Sequence, residues 1–140
     1  MPLDLGSLIL SVEALERVLR KSQDEGFMVP LDSVGRDLVT SGVIQHFEFT
    51  YELCWKFMKR WVETNVSPAM ADGVTRRELF RLAAESRLIH DVEQWMRYHE
   101  ARNLTAHTYQ PLTAQRVYQM VPPFARDARL LLDALIERND

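Results

Sequence analysis

Residues 43–61 read VIQHFEFTYELCWKFMKRW, and this stretch decides the fold. On a helical wheel with about 100° per residue, its apolar side chains cover more than half of the circumference. They are Val43, Ile44, Phe47, Tyr51, Leu53, Cys54, Trp55, Phe57, Met58 and Trp61. The polar side chains occupy a narrow arc with Gln45, Glu48, Glu52, Lys56, Lys59 and Arg60. A helix with so much apolar surface is packed on several sides, so we expect it to run from about Arg36 to Thr64 as the central helix.

Three residues of the polar arc are candidates for a cleft. Phe49 either contacts another chain or lines a cleft, or it is a single exposed aromatic side chain. Glu48 and Glu52 either form surface ion pairs with Lys56 or line the same cleft and hold a neighbouring arginine. The sequence leaves both alternatives open.

The segments before and after the central helix also show helical signals. Upstream, apolar residues recur at steps of three and four from Asp4 to about Asp24, which predicts an amphipathic helix. They are Leu5, Leu8, Val12, Leu15 and Leu19. Gly26 and Pro30 end this helix, and Asp32 or Ser33 caps the next one. Residues 65–74, which contain a proline and a glycine, are expected to form a loop.

The second half of the chain has three further helix starts. Thr75 and Glu78 form a capping box that opens a helix ending near Arg87, and Asp91 caps another helix. Thr113 caps the last helix, which we expect the consecutive prolines at 122 and 123 to kink or split. Because the sequence contains no strand pattern, we predict an all-α fold, an up-and-down bundle of four to five helices in a single domain over residues 1–140.

Composition excludes several classes of function. The formal charge of −3 gives no broad positive surface for nucleic acid or anionic membrane, so any RNA contact must be local. One cysteine excludes an intramolecular disulfide, and four histidines without a cysteine cluster give no zinc pattern. We therefore expect no metal and no cofactor. The N-terminus has no basic leader and the apolar runs are too short to cross a bilayer, so we expect a soluble cytoplasmic protein without membrane contact.

Residues 102–109 read RNLTAHTY and carry the residue types of phosphate chemistry. Arginine binds a phosphate or carboxylate in a planar fork, histidine exchanges a proton near neutral pH, and tyrosine offers a hydroxyl group. On one continuous helix Arg102 and His107 would point roughly 140° apart, so their convergence needs a break in the helix or a second chain. Asn103 and Thr105 can loosen the helix, and Pro111 disfavours helical geometry before it. On spacing alone, ordinary interhelical hydrogen bonds are the more frequent role for such residues.

The preceding turns orient the arginine. Trp95, Tyr98 and Arg102 share one helical face, so two inward-packing aromatic rings carry the guanidinium toward the same side. A half-buried arginine needs a partner. His99 is expected to be a surface or packing histidine.

Two motifs together give a resemblance to a known family. VIQHFEFTYELCWK at 43–56, followed by RNLTAHTY, resembles the nucleotidyltransferase substrate-binding proteins, a branch of the HEPN helical domains that includes HepT-like toxins. The HEPN pattern of Arg, four residues, His, one residue and Tyr falls on Arg102, His107 and Tyr109, and Asn103 occupies a position where the family usually has Asn. The resemblance runs from about Arg36 through the last helix.

The resemblance implies a homodimer that forms a complex with a small nucleotidyltransferase encoded by an adjacent gene. In toxin–antitoxin members the helical protein is a metal-independent ribonuclease, and its partner silences it, in some cases by transferring AMP to the motif tyrosine. For this chain that implies Arg102 and His107 as catalytic residues, and Tyr109 and Asn103 as substrate-binding or modified residues. One alternative is a non-catalytic substrate- or nucleotide-binding subunit of the nucleotidyltransferase. Another is a helical dimerisation scaffold.

Overall fold

Seven α-helices and one 3₁₀ turn make up the computed structural model, which describes residues 2–139. In chain order they are α1 (Gly6–Ser22), α2 (Glu25–Met28), α3 (Ser33–Asn65), α4 (Pro68–Ala71), α5 (Arg76–Glu85), α6 (Val92–Asn103), the 3₁₀ turn (Leu104–His107) and α7 (Pro111–Glu137). Residues 2–139 contain no strand. This confirms the all-α prediction, with five long helices forming the bundle and two single-turn helices in the connections.

The central position of α3 is confirmed, because it packs against α1, α4, α5, α6 and α7. Its buried residues are Val43, Ile44, Phe47, Thr50, Tyr51, Cys54, Phe57, Met58 and Val62. Phe124 of α7 meets this face edge-on, with its ring centroid 4.9 Å from that of Phe47. The same ring lies 5.1 Å from Tyr98 and 5.8 Å from Trp95. Such edge-to-face contacts stabilise a core beyond the area they bury, and they fix α6 and α7 against α3.

Side-chain caps begin three of the long helices as predicted. At the start of α3, Asp32 Oδ1 accepts a hydrogen bond from the Gly35 amide at 2.7 Å. At the start of α5, Thr75 Oγ1 accepts from the Glu78 amide at 3.2 Å. At the start of α6, Asp91 Oδ1 accepts from the Gln94 amide at 3.1 Å. Each bond satisfies a backbone donor that has no partner within its helix. Because Asp32 is the cap, α3 begins at Ser33, slightly earlier than expected.

The prediction for the last helix was wrong about its start, and of the two alternatives for the prolines, a kink or a split, the split does not occur. α7 begins at Pro111 rather than after Thr113, because proline lacks an N–H and has a fixed φ that suits the first helical position. The helix is also not split, since it continues through both prolines at 122 and 123. Two donors are missing from its backbone ladder there.

Two expected loops each contain a short helix. Asp24 Oδ1 accepts from the Gly26 amide at 3.0 Å and begins α2, and Ser67 Oγ accepts from the Ala69 amide at 3.2 Å and begins α4. A local cap therefore suffices to close one helical turn in each connection. None of the helices within residues 2–139 is long and apolar enough to cross a membrane.

Candidate functional site

Arg102 lies in the last turn of α6, on the helical face that buries two aromatic side chains. Trp95 and Tyr98, on the same face, are 2% and 0% exposed, and their rings are 5.3 Å apart. The Tyr98 hydroxyl donates a hydrogen bond to the Asp127 carboxylate of α7. The guanidinium itself stays half-buried. The predicted orientation of this arginine is confirmed, and packing restricts how far it can move.

Glu52 of α3 is the partner of Arg102. Glu52 Oε1 lies 2.8 Å from Arg102 Nε, and Glu52 Oε2 accepts a hydrogen bond from Trp55 Nε1 at 3.2 Å. The contact with Arg102 is close enough for an ion pair, yet the Nε–H does not point at an acceptor within residues 2–139. We therefore interpret the contact as electrostatic. Of the two alternatives for Glu52, an ion pair with Lys56 or a contact with a neighbouring arginine, the structure shows the contact with an arginine.

His99 joins this cluster through Tyr51. The Tyr51 hydroxyl lies 2.8 Å from His99 Nδ1. Burial raises the pKa of Tyr51 above its ordinary value, so the phenol stays protonated. Burial, followed by the charges of Arg76 and Arg102, lowers the pKa of His99. Because the phenol is protonated and the imidazole is neutral, we assign the Tyr51 hydroxyl as the donor and His99 Nδ1 as the acceptor. The proton of the imidazole is then on Nε2.

The predicted break in the helix lies directly after Arg102. α6 ends at Asn103, and a 3₁₀ turn runs from Leu104 to His107. Thr105 Oγ1 donates to the Arg102 carbonyl at 2.7 Å, and Thr108 Oγ1 donates to the Thr105 carbonyl at 3.2 Å. The two threonine hydroxyls thus donate to backbone carbonyls at the end of the helix, as expected for side chains that compete with the backbone N–H groups for these acceptors.

The break does not join the two catalytic candidates within one chain. Within residues 2–139, no hydrogen bond or ion pair links Arg102 to His107. His107 is exposed, and its ring centroid lies 6.2 Å from that of Tyr109. The motif thus has two parts, a half-buried arginine in the cluster and an exposed histidine–tyrosine pair on the turn.

Tyr109 stands beside a groove between the start of α7 and the first turns of α3. The tyrosine is 77% exposed. The groove has a volume of about 470 Å³. Its lining residues include Asp37, Thr40, Ser41, Thr108, Pro111 and Tyr118. The hydroxyl of Tyr109 is therefore accessible to a large reactant.

The other site candidates lie at the edges of this region. Asn103 is exposed at the junction of α6 and the 3₁₀ turn. Glu48 is half-buried. Phe49 is 53% exposed, so it lies on the surface as its place in the polar arc indicated. Their roles stay predictions.

Sequence reasoning missed Arg76 as a member of the cluster. Its guanidinium carbon lies 3.6 Å from the centroid of the Trp55 ring, a cation–π contact between α5 and α3. A helical wheel shows which residues share a face of one helix but not which faces of two helices meet. The only sequence signal was that Arg76 follows the Thr75 cap. Within residues 2–139, no three His, Cys, Asp or Glu side chains are placed to hold a metal ion.

Comparisons with known proteins identify the family of the chain. The profile of the family described as nucleotidyltransferase substrate binding protein like matches residues 3–137. The chain belongs to this family. Its sequence is 33% identical to the probable ribonuclease HepT of Haemophilus influenzae, over 98% of this chain and 94% of that protein.

Two solved structures share the fold. The structure of HI0074 from Haemophilus influenzae, described as the fold of a substrate-binding domain of a nucleotidyltransferase, superposes with a TM-score of 0.91 at 30% identity. It covers 94% of this chain and 98% of its own. The crystal structure of a protein from Thermus thermophilus has a TM-score of 0.63 at 25% identity, covering 86% and 98% of the two chains. The family's helical arrangement therefore extends over nearly the whole chain.

Proposed function

We propose that this family member is a metal-independent endoribonuclease, the toxin of a toxin–antitoxin pair, with Arg102 and His107 as catalytic residues. The observation that carries the proposal is the position of Arg102, a half-buried cation beside Glu52, five residues before an exposed histidine. Similarity to a protein named as a probable ribonuclease supports it.

In this mechanism Arg102 binds the scissile phosphate and stabilises the negative charge that develops on its oxygens. The ribose 2′-oxygen attacks phosphorus while its proton passes to a base, and the bond from phosphorus to the 5′-oxygen breaks. The leaving oxygen takes up a proton. His107 performs one of these two proton transfers. The products are a cyclic phosphate and a 5′-hydroxyl.

A homodimer supplies the second proton-transfer group. The exposed apolar residues Val34, Leu38 and Phe49 of α3 are 65%, 70% and 53% exposed. They lie within about 60° of one another on the helical wheel, on the arc that also carries Glu52. Together they form a discontinuous strip, since Phe49 lies about three turns beyond Leu38 with exposed Ser41 and Gln45 between them, and exposed apolar side chains on one face favour association. We propose that the strip forms the dimer surface, so that His107 of the second copy faces the cleft that contains Arg102.

Family membership implies a nucleotidyltransferase partner. We propose that this partner silences the ribonuclease by transferring AMP to Tyr109. Of the four tyrosines, all of which the structure describes, Tyr51 and Tyr98 are buried, Tyr118 is half-buried and Tyr109 is exposed. The Tyr109 oxygen would attack the α-phosphorus of ATP and release pyrophosphate. A charged nucleotide two residues from His107 would then obstruct RNA.

A second candidate function is a non-catalytic substrate- or nucleotide-binding subunit of the nucleotidyltransferase. Two observations favour it. Arg102 and His107 make no direct contact within residues 2–139 of one chain, and the groove beside Tyr109, at about 470 Å³, has the size of a small-molecule site.

A ribonuclease assay on the purified protein without its partner, in excess EDTA, separates the two functions. We expect wild type to cleave RNA, and Arg102→Ala and His107→Ala each to reduce cleavage by a factor of about 100 or more. Arg97→Ala and His90→Ala are matched controls, since both residues are exposed and lie outside the cluster. Absence of cleavage by unmodified wild type would favour the binding subunit.

The modification has its own test. After incubation with the partner and ATP, intact-mass measurement should show the addition of AMP to wild type and none to Tyr109→Phe. A modified Tyr109→Phe protein, or an unmodified wild type, would contradict the assignment.

A further inference from the structure

Arg76 is held in the cluster in an orientation suited to binding an anion. Its guanidinium stacks on the Trp55 ring, with 3.6 Å between the guanidinium carbon and the ring centroid. The same indole donates to Glu52, the partner of Arg102. Stacking occupies the face of a guanidinium and leaves the N–H groups at its edge for acceptors. Trp55 and Glu52 thus connect two arginines from different helices.

The cluster carries two positive and two negative charges. The charged groups that act on His99 are Arg76 from α5, Arg102 and Glu100 from α6, and Glu52 from α3. The Arg76 charge lowers the pKa of His99 more than the Arg102 charge does. Both arginines also act on the Tyr51 hydroxyl. Glu52 accepts from Trp55 and pairs with Arg102. Within residues 2–139, Arg76 has no carboxylate at ion-pair distance.

Arg76 keeps a buried donor without an acceptor. Its Nε atom is shielded from solvent and has no hydrogen-bond partner within residues 2–139, whereas Arg102 Nε has Glu52 Oε1 at 2.8 Å. Buried donors are ordinarily paired, so the unpaired Nε of Arg76 is unusual. A phosphate group offers several acceptor oxygens in the geometry that a guanidinium fork matches.

We propose that Arg76 is a second phosphate-binding residue, which binds the backbone of a single-stranded RNA together with Arg102. This inference rests on the proposed ribonuclease function and names a residue of the same site outside the family motif. Arg76 contributes affinity by neutralising a phosphate, whereas Arg102 acts on the phosphate that reacts. Loss of Arg76 therefore raises KM more than it lowers kcat.

The first test measures binding by fluorescence anisotropy of a single-stranded RNA whose 2′-hydroxyls are all methylated, so that it cannot be cleaved. We expect Arg76→Gln to weaken binding about tenfold and to reduce the slope of log Kd against log salt by about 0.7, the contribution of one phosphate contact in a single strand. Arg77→Gln is the matched control. Arg77 is the next residue of α5 and pairs with Glu93 on the surface, so its removal should leave binding close to wild type.

The second test measures the pKa of His99 by NMR. In the protein without RNA, Arg76→Gln should raise this pKa, because a neighbouring cation is removed, and Arg77→Gln should not. Adding the methylated RNA to wild type should also raise it, because a phosphate anion enters the cluster. An unchanged His99 pKa in Arg76→Gln would contradict the placement of Arg76, whatever the activity.

The outcomes separate the two proposals. If wild type binds and cleaves RNA and folded Arg76→Gln does so with unchanged KM and salt slope, this inference fails and the ribonuclease stands. If wild type neither binds nor cleaves RNA, the ribonuclease fails and the inference fails with it. Arg76→Lys, which keeps the charge without the fork, provides a second variant if Arg76→Gln does not fold. It should keep the salt slope and bind more weakly than wild type.

Discussion

Arg102 Nε lies 2.8 Å from Glu52 Oε1, and this contact connects the end of α6 to the middle of α3 at the candidate site. Both side chains are about one-third exposed, at 37% and 30%. Pairs with this exposure contribute little to folding. We therefore propose that Glu52 chiefly orients the arginine.

Replacing the carboxylate tests this role. We expect Glu52→Gln to lower kcat/KM for RNA by a factor of about 10 to 100, the range for a displaced catalytic group. The free energy of unfolding should fall by less than about 1 kcal/mol, measured by urea denaturation. Glu63→Gln, which changes another half-buried glutamate about three turns later in α3 and outside the cluster, is the control. Full activity in Glu52→Gln would mean that other groups position Arg102.

The pH dependence of stability should report on His99. Its pKa lies below the ordinary 6.5 in the folded protein, so on acidification the unfolded chain takes up this proton before the folded protein does. The free energy of unfolding should therefore fall as the pH is lowered from about 7.5 to about 5. Urea midpoints across this range measure the effect. In His99→Gln the dependence should be weaker, and in His90→Gln, which changes an exposed histidine, it should match wild type.

The aromatic core should depend strongly on Phe124. Its fully buried ring contacts Phe47, Tyr98 and Trp95. We expect Phe124→Ala to cost about 3–5 kcal/mol of the free energy of unfolding, because it leaves a cavity between three helices. Thermal and urea unfolding measure this cost, with Ile136→Ala as the control since Ile136 is 51% exposed. A loss below about 1 kcal/mol would show that the neighbouring rings close the cavity.

The proposed dimer surface can be tested by one substitution. Phe49→Ser removes the apolar residue closest to Glu52 on the exposed strip, and we expect it to weaken the dimer at least about tenfold, as for a central aromatic at an interface. Light scattering during gel filtration over a range of concentrations measures the mass. Leu10→Ser, which changes an exposed leucine of α1, should stay dimeric. A monomeric wild type, or a dimeric Phe49→Ser with unchanged affinity, would contradict this surface.

The helices could be predicted from sequence because their signals are local. The apolar arc of α3 and the caps at Asp32, Thr75 and Asp91 involve residues within one or two turns of each other. Pro111 was expected to disfavour helical geometry at the residue before it, and Gln110 is extended; that proline also favours the first helical position was missed. The two prolines inside α7 were expected to kink or split the helix, and the split does not occur, with buried residues continuing on both sides of them.

The candidate site was predictable only in part. The sequence motif identified Arg102 as a candidate. Because Arg102 shares a helical face with Trp95 and Tyr98, which are buried, the sequence also indicated that its guanidinium is half-buried and needs a partner. The contact with Arg76 depends on how α5 packs against α3, and no local pattern encodes that relationship. His99 was expected to be a surface or packing residue, and its bond to Tyr51 spans two helices in the same way.

The prolines at 122 and 123 divide α7 into two segments that can open separately. Neither proline donates to the carbonyl four residues earlier, so the chain of backbone bonds that couples the turns of a helix is interrupted. The first segment, 111–121, adjoins the turn that bears His107 and Tyr109 and has two buried residues, whereas the segment after the prolines has six, Phe124 among them. Amide hydrogen exchange should therefore be faster over the first segment. We infer that the turn that bears His107 and Tyr109 can rearrange without opening the core around Phe124.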